Sequence, residues 1–287
     1  MLHFFLRYNY TLSRMSTPRE HHNEFSFVLS SNADNGATNI THNGSSFEIL
    51  LTEPINIPRE AYNLQLSAPV STMWWNIPNI NTGTNDLLNI KGYDNADVIK
   101  DFNIQIPQGL YKQTDLNQYI KNILIRQGAK TDGKDTLIDF TPDQNNQRIV
   151  MTFKYPNTTV DFTSRQSIAS MLGFENTVYT SATSTQFIAP LKGEFNSSEY
   201  YLLHCDLVNK GLVINGKYDN TIAQIYIDVP VGYQNISRPF NPPVIDCSNL
   251  KGTTRSKIKL WITDDKNQPI NTNGEYFTAR LVLSYNV

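Results

Sequence analysis

Between residues 201 and 285, four segments alternate apolar and polar residues almost without a break, and this limits the possible folds more than any other feature of the chain. In 222–229, Ala223, Ile225, Ile227 and Val229 share one side, while Gln224, Tyr226 and Asp228 share the other. In 257–263, Ile258, Leu260 and Ile262 oppose Lys257, Lys259 and Trp261. In 277–285, Phe277, Ala279, Leu281, Leu283 and Tyr285 oppose Thr278, Arg280 and Ser284, and in 201–207 Leu203, Cys205 and Leu207 oppose Leu202, His204 and Asp206. A period of two places one face of a strand in a core and the other in water. The polar stretch 264–275, rich in Asp, Asn, Gly and Pro, is expected to be a long hairpin loop between the last two strands. Successive half-buried strands with no helical period between them indicate an all-β sandwich or barrel.

At 287 residues the chain can form one large all-β domain or two small ones, and a single core is feasible at that size. Its hydrophobic fraction of 39% and charged fraction of 17% are both low, and Asn, Thr, Ser and Gln fill the difference, as suits loops and turns. A net charge of −2 argues against nucleic-acid binding by the domain as a whole, so any genome contact has to be local. Cys205 and Cys247 make no disulfide framework; two reduced core thiols are the first expectation and a single bridge the second. The apolar start is cut off at Arg7 without a small-residue cleavage site, and no run of ~20 apolar residues indicates a membrane span. Several Asn-x-Ser/Thr sites, Asn39, Asn157, Asn196 and Asn235 among them, are what an Asn- and Thr-rich chain contains by chance.

Residues 1–24 carry Arg7, Arg14, Arg19 and the pair His21–His22 with little periodicity, and are expected to form an extended N-terminal arm. The arm either contacts a neighbouring subunit or enclosed nucleic acid, or is a loose terminus. The segments 25–29 and 46–51 are expected to pair with each other across a polar loop. Along 62–75, Leu64, Leu66 and Ala68 alternate with Asn63, Gln65 and Ser67 and lead to adjacent Trp74 and Trp75, whose rings must point to opposite faces. One ring belongs to a core; the other either anchors a subunit interface or is covered by the loop at 76–81. Leu116, Ile120, Ile123 and Leu124 form the stripe of an amphipathic helix starting near a Thr114 cap. A hairpin over 136–153 and a short helix ending at Gly173 follow, and Pro239, Pro242 and Pro243 bar 231–246 from the middle of a sheet.

No constellation for catalysis emerges, and the chain is not expected to be an enzyme. His204 and Cys205 are strand neighbours pointing to opposite faces, so they form no nucleophile–base pair. Asp264, Asp265 and Asn267 lack the Gly and Glu spacing of a calcium loop, and the isolated Gly211 and Gly216 form no phosphate loop, so no metal or cofactor is expected.

Several stretches in order bear a resemblance to the penton, or minor capsid, proteins of virophages and Polinton/Maverick elements. They are IPQGLY at 106–111 ahead of the helix, LGF at 172–174, the strands at 201–207 and 222–229, ITDDK at 262–266, and GEYF at 274–277. The resemblance covers most of 25–287. It implies a single jelly-roll β-sandwich with one inserted amphipathic helix, the helix and hairpin forming an insertion at about 100–185. It further implies a homopentamer at the fivefold vertex of a virion capsid, assembled in the host cell beside a double jelly-roll major capsid protein. Limited genome contact would come from the arm, and Trp74, Trp75, Arg7, Arg14 and Arg19 are the candidate interface residues. The competing expectation is a jelly-roll carbohydrate-binding or attachment module, which would gather aromatic and carboxamide side chains in one loop cluster.

Overall fold

The structure, a computed structural model, describes residues 21–143, 146, 148–195, 198–214 and 216–287. Arg7, Arg14 and Arg19 therefore lie outside the described residues. The chain opens with β1 (His22–Ser30), β2 (Ala37–Thr41), β3 (Ser46–Asn56) and β4 (Tyr62–Trp74). Next come β5 (Leu87–Tyr93), β6 (Ile99–Gln105), α1 (Gln113–Arg126), β7 (Ile138–Pro142), β8 (Arg148–Phe153), β9 (Thr159–Asp161), α2 (Ala169–Leu172), β10 (Val178–Thr180) and β11 (Gln186–Lys192). The C-terminal part holds β12 (Tyr201–Cys205), β13 (Val213–Ile214), β14 (Lys217–Tyr218), β15 (Thr221–Ile225), β16 (Gln234–Ser237), β17 (Val244–Asp246), β18 (Thr254–Thr263) and β19 (Phe277–Asn286).

One sheet has the order β1-β19-β4-β16, with β17 also on β4, and another has the order β15-β12-β18-β3-β2. Every pairing in them is antiparallel. With β16 and β17 taken as one broken strand and β2 as an edge addition, the eight strands run 1-8-3-6 in the first sheet and 5-4-7-2 in the second. That order is a single jelly roll. It corrects two expected pairings, because β1 and β3 belong to different sheets, as do β18 and β19. The segment 264–275 is thus a crossing from one sheet to the other rather than a hairpin loop. Alternation reports which side of a strand is buried; it carries no information about the strand's partner.

Proline marks where the ladders break. Pro69 lies where β4 slips against β19 between the Arg280 and Val282 pairings, and Pro54 where β3 slips against β18. At both places an irregularity accepts a residue with no N–H to donate. Between the sheets, Phe47 of β3 meets Phe277 of β19 edge to face at 5.1 Å, within a core that also holds Leu64, Leu66, Leu260, Leu281 and Leu283.

A second core contains no strand of the sandwich. Its members run from Ile80 to Ala189 and come from the β10-β9-β5-β6 sheet, the β11-β8-β7 sheet and the two helices. In α1, Leu116, Ile120 and Leu124 are buried, as their spacing requires. The helix begins two residues earlier than a Thr114 cap implies: Lys112 is its N-cap and makes no side-chain cap bond, while Thr114 sits inside the first turn. Lys121 of this helix reaches Asp135 at 3.0 Å and Asp139 at 2.9 Å. Burial alone would lower its pKa, but these two carboxylates hold it above the usual lysine value. The chain leaves the sandwich after Trp75 and re-enters at Tyr201, and their rings lie 6.0 Å apart. Buried Asn79 ties this neck: its side-chain amide donates to the carbonyls of Tyr111 and Phe195, and its oxygen accepts from the Tyr111 N–H.

Candidate functional site

β12 corrects the expectation of a strand with one solvated face, since all five of its residues are buried. Its outer side is covered at His204 by neighbouring strands: the Trp261 ring of β18 stacks on the imidazole, and the Thr263 and Thr221 hydroxyls bond its two ring nitrogens. His204 points to that covered side and Cys205 into the sandwich core. Burial lowers the His204 pKa to about 4, against a weaker opposing pull from Asp219. The thiols of Cys205 and Cys247 are free and buried, and desolvation raises both pKa values, that of Cys247 to about 12. Neither is poised as a nucleophile at neutral pH.

The largest cleft, of about 1180 Å³, lies in the inserted unit against Ile149, Phe174, Leu191, Glu175 and Glu194. No histidine or cysteine lines it among the described residues. No group of three or more His, Cys, Asp or Glu is placed to hold a metal among them either. No described helix is long and apolar enough to cross a membrane.

The two tryptophans separate as alternation requires. Trp75 is 8% exposed and tilts against Tyr201 in the sandwich core, whereas Trp74 is 38% exposed on the outside of the first sheet. Register shows what surrounds Trp74. Gln234 is its cross-strand partner, and two residues along the strands Thr72 stands between Ile236 and Thr278. Farther down, Val70 pairs with Arg280, which pairs with Val28, and Ser67 stands between Val244 and Val282. Val28, Val244 and Ile236 are exposed, and Phe240, in the turn between β16 and β17, is 97% exposed. Glu24, Asp246 and Arg280 are the charged residues at the outward positions of these strands, and Arg280 is turned onto Ser26, to which its Nε donates at 3.0 Å. The result is a broad sheet face of Val, Ile, Trp, Ser and Thr with little charge. The alternation of β4 pointed to Trp74, but Ile236, Phe240 and Val244 were hidden in a proline-rich stretch that resembles a loop.

No protein-family model matches the chain, and no curated protein matches it. Among solved structures, the mavirus penton protein is similar over 92% of this chain and 99% of that one, with 13% sequence identity and a TM-score of 0.43.

Proposed function

We propose that this chain is a structural protein of a viral capsid, a vertex subunit that associates with copies of itself into a ring of five in the virion. One observation carries the reading: the nearly uncharged outer face of the first sheet, centred on Trp74, Ile236 and Val244, on a jelly roll of the kind that capsid proteins use. A closed ring needs a heterologous contact, so this face would meet a different surface on the next copy. Ile40 and Leu50, exposed on the second sheet, are apolar residues available for that counterpart. The function is then mechanical, with a larger double jelly-roll capsid protein as the surrounding partner and the N-terminal arm, with its Arg7, Arg14 and Arg19, directed to neighbours or genome.

The test is the mass of the full chain in solution, by light scattering with negative-stain imaging of the same peak. Five copies of a 32.7 kDa chain weigh about 164 kDa. Rings that dissociate when Trp74 and Ile236 are changed to Ser support the reading. A strict monomer, both alone and with the major capsid protein of the same particle, refutes it.

A further inference from the structure

On the outer side of the second sheet, Trp261 stands between two cross-strand neighbours of very different size. On β12 the neighbour is His204, whose ring stacks on the indole at 5.1 Å and within 3° of parallel. On β3 it is Ser46, too small to cover a ring. The side toward Ser46 opens into a cleft of about 300 Å³ lined by Trp261, Lys259, His42, Ser46, Asp219 and Asn267.

The polar wall of this cleft is held from behind by a directed chain of hydrogen bonds. The Thr221 hydroxyl donates to His204 Nδ1 at 3.2 Å, His204 Nε2–H donates to Thr263 Oγ1 at 2.8 Å, and that hydroxyl donates to Asn267 Oδ1 at 3.2 Å. Asn267 Nδ2 then donates to Asp219 Oδ2 at 2.9 Å. The Thr263 bond to Asn267 requires His204 Nε2 to carry a proton, and because burial keeps the imidazole neutral, Nδ1 is the acceptor. Thr221 and His204 are buried behind the cleft and Thr263 lines its floor, so Asn267 and Asp219 are oriented by groups that the fold holds in place. The remaining feature is a cation. Lys259 Nζ lies 5.8 Å from the Trp261 ring centroid, while its cross-strand neighbour Glu48 is engaged by Lys257 at 3.1 Å and Asn39 at 2.8 Å.

An aromatic face, fixed hydroxyl-binding carboxamide and carboxylate groups and an ammonium that makes no ion pair within 4 Å among the described residues define a ligand class. We infer that this cleft binds a sugar ring bearing a carboxylate, of the sialic or uronic acid type. The C–H face of the pyranose packs on Trp261, its hydroxyls bond Asp219 and Asn267, and its carboxylate meets Lys259. The inference goes beyond the capsid reading and does not depend on a ring forming.

Saturation-transfer NMR on the full chain tests it, with the methyl glycosides of N-acetylneuraminic acid and glucuronic acid as probes and methyl galactoside as the neutral control. The expected result is transfer to both acidic sugars, at least tenfold weaker binding of them in Lys259→Gln, and loss of transfer in Trp261→Leu. Lys259→Gln leaves the strand pairing intact and carries the test if Trp261→Leu does not fold, as judged by near-ultraviolet circular dichroism. No transfer from either acidic sugar overturns the inference. So does equal binding of the neutral sugar, or binding indifferent to Lys259→Gln.

Discussion

An imidazole is cheap to bury only while it is neutral, and His204 is arranged to stay so, with one ring nitrogen donating to Thr263 and the other accepting from Thr221. Its pKa of about 4 in the folded chain lies below the ordinary 6.5, so between those values the unfolded chain binds the proton more readily. This contribution to stability is complete above pH 6.5 and is lost as pH falls toward about 4, by roughly 3 kcal/mol in all. Thermal unfolding from pH 7 to pH 4 should show that decline, and His204→Gln should flatten it; an unchanged slope in the variant would refute the assignment. The tryptophan pair gives a second prediction at this scale. Trp75→Ala should cost about 3–5 kcal/mol in chemical denaturation, because it empties a place in the core, whereas Trp74→Ser should cost under about 1 kcal/mol and act on self-association instead. Equal losses would mean that Trp74 serves the fold. Sequence was informative about the tryptophans, since adjacent strand residues must diverge, and misleading about His204, because the groups that cover it, the Trp261 ring and the Thr221 and Thr263 hydroxyls, come from other strands that no periodicity assigns to it.

At the scale of elements, the sequence showed where strands and the helix lie more clearly than how they pair. The stripe of Leu116, Ile120 and Leu124 needs only a helix of 3.6 residues per turn, and the burial of α1 followed from it. The separation of β1 from β3 needs knowledge of both sheets, because in a jelly roll most neighbours in sequence lie in opposite sheets. Gly173 is a case where a local signal has a long-range reason. It ends α2 in the left-handed conformation at φ 79°, and a Cβ there would stand 2.3 Å from the Leu191 carbonyl oxygen on β11. The helix end and the strand are also joined by the Leu191 N–H bond to the Gly173 carbonyl. Gly173→Ala therefore combines backbone strain with a forced separation of α2 from β11, and should cost at least about 2 kcal/mol. Hydrogen exchange would locate the loss: faster exchange across β11 with β12 unchanged is expected, and uniform acceleration would count against a local cause.

At the scale of the molecule, two hydrophobic cores raise the question of whether they are two folding units. The sandwich core draws on residues up to Ile77 and from Tyr201 onward, with partly buried Leu110 added from the insertion, and the second core runs from Ile80 to Ala189. Polar contacts between the parts are few and peripheral, such as the Glu199 N–H to the Asp265 carboxylate at 3.3 Å, the Asp265 N–H to Ser198 Oγ at 3.2 Å and Gln108 to Asn273 at 3.3 Å. Sequence alone could not place this boundary, since no linker composition marks it and strands on both sides share the same period; the exit and return are instead joined by packing of Trp75 on Tyr201. Because those rings already meet, replacing residues 78–199 with a short Gly/Ser linker asks the chain to span little distance. The shortened protein should unfold cooperatively, with the near-ultraviolet signal of a packed Trp75 and a melting temperature reduced by no more than about 10 °C. If it instead lost that signal and unfolded without a sharp transition, the sandwich would depend on the insertion for its core. A folded sandwich that still assembled into rings of five would further assign self-association to the face around Trp74, while a folded monomer would move that contact onto the insertion.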